Sequence, residues 1–392
     1  MTWSFLDVCA RGGARQPFTR IAYGVVFALK RGNGAKSFDK AVSWLQRSGE
    51  TPKSLEFDHS GRCLCAVDGH PCVAEDDALT SLLKHGPPLD HFTLTVSSTR
   101  CFRKWIGAIH SPDSPSVRPW DTLRSFKLTF GDEETGELWS ERDTDTPSQS
   151  IFSLLPPAIT AFHLDLPGTS TAFDERWEVS SSRHASISIP ANVLNKLTTF
   201  TIQCDWASSK LFPLLRQCCN VETLTIDLGC RPLDESDTTF SENFFENLGA
   251  FPIILPNVSS LHLRGTPRAD ILDNLKAPSL RSLDIGLYGR GVSQRKIFGW
   301  IVHKFLEASG AKDNLLGFRV SGRPISGKDL RRCLTGLHRL KRLTLDTVTW
   351  SDDLFVFEAG FIQPHLPSLE VFELLHISEY FTPPQSWGSR LL

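Results

Sequence analysis

Apolar residues recur along the chain in a three-slot phrase, apolar-x-x-apolar-x-apolar. Its members run Leu89-Asp-His-Phe92-Thr-Leu94, Leu123-Arg-Ser-Phe126-Lys-Leu128, Ile159-Thr-Ala-Phe162-His-Leu164 and Leu197-Thr-Thr-Phe200-Thr-Ile202. They continue as Val221-Glu-Thr-Leu224-Thr-Ile226, Val258-Ser-Ser-Leu261-His-Leu263 and Leu280-Arg-Ser-Leu283-Asp-Ile285. The last three are Leu315-Leu-Gly-Phe318-Arg-Val320, Leu340-Lys-Arg-Leu343-Thr-Leu345 and Leu369-Glu-Val-Phe372-Glu-Leu374, and a weaker first member is Pro52-Lys-Ser-Leu55-Glu-Phe57. Successive middle slots lie 22 to 38 residues apart, the length range of a repeat solenoid with loops inserted. The alternation that ends each phrase is that of a short strand with one face buried.

Between the phrases, apolar residues take helical spacing. Phe38, Val42 and Leu45, with Ala41 and Trp44 beside them, form one stripe, and 77–83, 191–197, 211–215 and 271–275 read alike. Another helix is predicted over Ser293 to Ser309, with Ile297, Trp300, Ile301 and Phe305 on one side, Ser293 as N-cap and Gly310 as its stop. Helix, turn and short strand in alternation predict an α/β leucine-rich-repeat-like solenoid, with short parallel strands on a concave face and helices on the convex one. A compact, doubly wound α/β domain is the competing fold. It requires fewer, longer strands with continuous apolar runs, whereas these strands are polar at alternate positions.

The expected organisation is a small N-terminal helical cap over 1–37, the irregular solenoid over 38–380, and a tail over 381–392. An acidic insertion interrupts the solenoid over 131–150, and 169–183 reads as a second exposed loop.

The block Ala41-Val-Ser-Trp-Leu-Gln-Arg-Ser-Gly, followed by Pro52-Lys-Ser-Leu-Glu-Phe, resembles the helix-then-strand opening of fungal F-box-like leucine-rich-repeat proteins. Trp120-Asp-Thr-Leu-Arg-Ser-Phe-Lys-Leu, Pro256-Asn-Val-Ser-Ser-Leu-His-Leu, Pro278-Ser-Leu-Arg-Ser-Leu-Asp-Ile and Pro367-Ser-Leu-Glu-Val-Phe-Glu-Leu are in the same style. The resemblance covers about residues 38 to 380. It implies an N-terminal F-box that binds the Skp adaptor of an SCF ubiquitin ligase, with repeats that capture the substrate. The Leu-Pro-x-Glu phrase typical of an F-box is not found; Phe5 to Cys9 and Phe18 to Ala28 stand where a remnant of it would lie.

Composition narrows the chemistry. Over 392 residues, 42 Lys+Arg meet 44 Asp+Glu, so no overall basic field favours nucleic acid or an anionic membrane. The ten cysteines are scattered, and the first residues mix an acid with apolar side chains and lack a basic lead. The expectation is an intracellular protein, cytoplasmic or nuclear, whose cysteines are reduced.

Lys30-Arg-Gly-Asn-Gly-Ala-Lys-Ser37 puts Lys30 and Ala35 where a phosphate loop needs glycine. His59, Cys63, Cys65, His70 and Cys72 crowd together, but Cys63-x-Cys65 is tighter than the pairs of structural zinc sites. No nucleophile elbow, zinc-protease helix or dinucleotide fingerprint is found. No cofactor, metal or catalysis is therefore expected.

The residue between the last two apolar slots points to the other side of the sheet. That column and its neighbours supply the expected partner-binding residues on the concave face: Lys127, His163, His262, Arg264, Asp284, Arg319, Arg342 and Asp346. The expected function is a non-catalytic protein-interaction module, the substrate-recognition subunit of an F-box-type ligase. A ligase-independent scaffold is the first alternative. A hydrolase or transferase is the second, and it requires a deep pocket holding a nucleophile beside a positioned base.

Overall fold

The structure is a computed structural model. It describes residues 25–30, 35–58, 77–97, 99–111, 118–130, 150–166, 189–204, 208–228, 252–266, 269–287, 298–322, 325, 327–346 and 366–376. The expectations for 1–24, 59–76, 131–149, 169–183, the Ser293 cap and 381–392 fall outside the described residues.

Twelve strands form one parallel sheet in an almost sequential order. They are β1 (Val25–Lys30), β2 (Lys53–Asp58), β3 (His91–Val96), β4 (Ser125–Phe130), β5 (Ala161–Asp165), β6 (Thr199–Gln203) and β7 (Thr223–Asp227), then β9 (Ser260–Thr266), β11 (Ser282–Leu287), β12 (Gly317–Ser321), β13 (Arg342–Asp346) and β14 (Val371–Leu375). Two brief strands, β8 (Ile253–Ile254) and β10 (Leu275–Lys276), pair with each other beside it. Within the large sheet each strand bonds only to the sheet strands before and after it in the chain, so the chain is a solenoid of the leucine-rich-repeat kind.

All eleven three-slot phrases end in a strand of this sheet, and they align slot for slot. Leu55, Phe92, Phe126, Phe162, Phe200, Leu224, Leu261, Leu283, Phe318, Leu343 and Phe372 occupy one row of the register. The first slots from Leu89 to Leu340 are buried as well. On four adjacent strands the middle slot is phenylalanine, and the rings stack at 5.8, 6.0 and 6.2 Å with interplanar angles of 11° to 22°. Trp105, Phe102, Trp120 and Phe152 close over this row from the helix side, all fully buried. Each such side chain removes a large apolar area from water, so the helices are held mainly by this face.

A second device operates at the corner where each strand begins. The carbonyl of Asp90 accepts from both Arg124 N and Ser125 N, and that of Arg124 accepts from Thr160 N and Ala161 N. The same double acceptance recurs at Thr160, Thr198, Glu222, Ser259, Arg281, Leu316 and Lys341. One carbonyl per coil thereby fixes where the next strand enters, whatever the loop length before it.

The expected helices are seen over Ala35–Arg47, Asp77–His85 and Phe298–Ala308, and those expected at 191–197 and 211–215 appear as Ala191–Leu194 and Ser208–Leu215. The stretch from Ile271 is a 3₁₀ turn, Asp270–Asn274, because β10 follows at once. Helices Thr99–Ile109 and Gly327–Leu334 add to this set. Gly310 ends its helix at φ +63°, as its expected role requires. Trp300 departs from the expected buried stripe: it is 48% exposed, with the Lys304 ammonium 4.9 Å from its ring centroid. The sheet also reaches further back than the phrases do, since β1 pairs in register with β2 inside the segment assigned to the cap.

Candidate functional site

Strand alternation leaves one face of the sheet to the helices and the other open. The parallel register lines up its polar positions in rows. The central row reads Glu56, Thr93, Lys127, His163, Thr201, Thr225, His262, Asp284, Arg319, Thr344 and Glu373. Arg264 and Asp346 lie one pair further along their strands and Arg342 one pair earlier. All eight sequence-predicted residues therefore share the open face, but they divide into two groups with different surroundings.

From β9 to β14 the charges bind one another. His262 Nδ1 is 3.3 Å from Asp284 Oδ2, and Asp284 Oδ1 faces Arg319 Nε at 4.0 Å. Arg319 Nη2 donates to Asp346 Oδ2, while Asp346 Oδ1 is 2.7 Å from Nδ1 of His376. His376 adopts φ +49°, an uncommon value outside glycine, at the end of β14. Thr344 Oγ1 donates to Glu373 at 2.7 Å. Asp284 and Asp346 are 7% and 4% exposed, so each depends on the shared guanidinium to offset its desolvation. Arg342 is exposed at the edge of this network. Ser260 and His376 are contacts that the single-column reading did not include. Ser260 lies on a flanking row and His376 just beyond a strand end, and only the cross-strand register brings them to the network.

Ser260 Oγ lies 2.9 Å from His262 Nε2. In the tautomer that gives Nδ1–H to the Asp284 carboxylate, Nε2 accepts from the serine hydroxyl. This is the contact order of a hydrolytic triad, and it stands on the open face, not in a deep pocket. Acyl transfer also needs donors aimed at the developing oxyanion. The nearby N–H groups are already committed: those of Ser259 and Ser260 to Glu222 O, and those of Arg281 and Ser282 to Ser259 O. The arrangement orients His262 within the network and supplies no backbone oxyanion hole beside Ser260.

From β3 to β7 the face is rich in hydroxyls and also carries Lys127, Asp165 and Asp227. Thr93-x-Thr95, Thr199-x-Thr201 and Thr223-x-Thr225 point outward, joined by Thr129. Lys127 is exposed beside His163, its partner in register on β5. Burial, then the charges of Lys127 and Arg264, push the His163 imidazole down to about 4, so it is uncharged at neutral pH. His163 Nε2 is sheltered from solvent and has no hydrogen-bond partner among the described residues.

No family model and no curated protein matches this chain. Among solved structures it is similar to the crystal structure of the leucine-rich repeat-containing protein LegL7 from Legionella pneumophila. The identity is 14% and the TM-score 0.42, over 90% of this chain and 91% of that one.

An open groove of about 860 Å³ lies away from this face, along the corners where the strands begin. Its polar lining joins one coil to the next: Asn220 Nδ2 donates to Asn195 O at 2.7 Å, Asn257 Nδ2 to Cys219 O at 2.8 Å, and Ser279 Oγ to Pro256 O at 2.6 Å. Those groups serve the stacking of the coils. Among the described residues, no three His, Cys, Asp or Glu side chains are grouped to hold a metal, and no helix is long and apolar enough to cross a membrane.

Proposed function

We propose that the protein is a non-catalytic protein-binding module whose open sheet face receives a partner polypeptide. One observation carries this reading: a single parallel sheet of twelve strands presents continuous rows of polar side chains on the face opposite the helices. Such a surface offers area and many weak polar contacts. Among the described residues it is open, without a concave, water-excluding pocket through which a small substrate would be gripped.

The more specific reading is substrate recognition within an F-box-type ubiquitin ligase, inside the cell, with a Skp adaptor held by the N-terminal segment. It is supported by the resemblance of the 41–57 block and of the later repeat phrases. Co-purification of the full chain with a Skp adaptor, compared with a chain lacking residues 1–24, tests it. Capture that depends on 1–24 is the expected result. If the adaptor is never captured while a partner still binds the open face, the ligase-independent scaffold is the better description.

A further inference from the structure

Away from the open face, His110 stands just past the end of helix Thr99–Ile109 and ties two successive coils together. Its Nε2 lies 3.0 Å from Leu154 O, at the end of the 3₁₀ turn Ile151–Leu154. Its Nδ1 lies 3.1 Å from Nη1 of Arg118, the residue that leads into the 3₁₀ turn Pro119–Thr122. Neither neighbour can change roles, because a carbonyl oxygen only accepts and a guanidinium only donates. The half-buried ring is therefore neutral in this arrangement, with its proton on Nε2 and the Nδ1 lone pair turned to Arg118.

Arg118 is engaged on its other sides as well. Its Nη1 also donates to Ile109 O at 3.2 Å, while Nε and Nη2 grip the Asp121 carboxylate at 3.0 and 2.7 Å. Leu154 O accepts a second ring donor, Nε1–H of the fully buried Trp120, at 3.2 Å. The charged groups around the ring, among the described residues, are Arg118 and Asp121 on the turn side. Lys84, from helix Asp77–His85, bonds Ser111 Oγ one residue away at 3.0 Å, and the turn Ile151–Leu154 brings no charged side chain.

A proton added at Nδ1 would make it a donor facing a donor and set an imidazolium against the guanidinium. The Asp121 carboxylate is already shared with Arg118, so it offsets only part of that repulsion. Burial first, and the Arg118 charge second, hold the His110 imidazole below its ordinary value, against the Leu154 bond and the Asp121 charge.

We propose that His110 is an acid-operated clasp. Neutral, it holds the turn Pro119–Thr122 against the end of helix Thr99–Ile109 and against the next coil, and on protonation it lets that turn go. The unfolded chain takes up this proton near 6.5 and the folded chain lower. The clasp therefore contributes in full above about 6.5, weakens as the pH falls between the two midpoints, and weakens no further below the folded one.

The test is NMR of the full chain with isotope-labelled histidine and tryptophan, titrated from about pH 7.5 to about pH 4.5. Above the His110 midpoint the ring should carry its proton on Nε2, and a proton on Nδ1 overturns the clasp. Below the midpoint the Trp120 indole N–H should exchange about tenfold faster than the intrinsic pH dependence accounts for. That step should coincide with the His110 midpoint in the wild-type chain; steps at different pH values overturn the proposal even where a variant fails to fold. His110→Gln, which can still donate to Leu154 O but does not titrate, should abolish the step, whereas His163→Gln should keep it. A Trp120 signal indifferent to pH, a step that persists in His110→Gln, or a step lost in His163→Gln rules the clasp out.

Discussion

Asp284 shows what burial does to a charged side chain on this face. It holds His262 on one side and Arg319 on the other, so Asp284→Ala leaves a half-buried guanidinium with half of its compensation. A loss of about 3 kcal/mol in urea unfolding is expected, with a smaller loss for Asp284→Asn, which keeps a hydrogen-bond acceptor. His163 works in the opposite sense. The unfolded chain takes up a proton at this residue near 6.5 and the folded chain only near 4. Stability from this group is therefore complete above about 6.5, falls as the pH drops through that window, and falls no further below 4. The linkage amounts to about 3 kcal/mol, and His163→Gln should flatten that part of the stability–pH curve. By NMR, Lys127→Met should raise the His163 midpoint yet leave it below 6.5, because burial is the larger cause. The thiols divide by the same physics. Burial lifts Cys218 to about 12 and Cys333 well above the ordinary range, while neighbouring Cys219 is exposed. Iodoacetamide on the folded protein should mark Cys219 and spare Cys101, Cys204, Cys218 and Cys333, as read by peptide mass spectrometry.

The strands were legible in the sequence because each repeats three apolar slots that the fold uses identically. β1 escaped that reading: its Phe27 and Leu29 align with Leu55 and Phe57, but Gly24 stands in the first slot. The helix Thr99–Ile109 carried its signal in Cys101, Phe102, Trp105, Ile106 and Ile109, all buried, among basic residues that blurred it. For the candidate site, alternation gave the face of each residue, whereas its contacts depend on which residue stands on the next strand. Loops of unequal length hide that register. Nothing in the period told that Asp284 and Asp346 turn toward Arg319 and become buried. Close approach between elements was equally hidden. Where helix Phe298–Ala308 crosses Gly327–Leu334, a Cβ on Gly299 would lie 2.3 to 2.9 Å from the Asp329 backbone, and Gly299 N donates to Asp329 Oδ1. Gly299→Ala must push the two helices apart, at a cost of about 1–3 kcal/mol by thermal unfolding. Phe126→Ala, which removes a ring packed against Phe92, Phe102, Trp120 and Phe162, should cost about 4 kcal/mol.

At the scale of the whole molecule, the core thins toward β14. Its residues are half-buried or exposed, with Leu366, Leu369, Phe372 and Leu374 only partly covered, whereas the corresponding slots of β4 to β6 are sealed. Amide hydrogen exchange should follow that gradient, slowest in β4 to β6 and faster by orders of magnitude in β14. Uniform exchange across all twelve strands would contradict it. The doubly accepting carbonyl at each corner carries a consequence for biosynthesis. Every such bond joins a coil to the one made just before it, so a nascent chain leaving the ribosome can seat each turn on the last without waiting for its far end. The polypeptide can grow as a rod from its N-terminal side, and a premature stop within a loop would leave the turns already laid down intact beneath it.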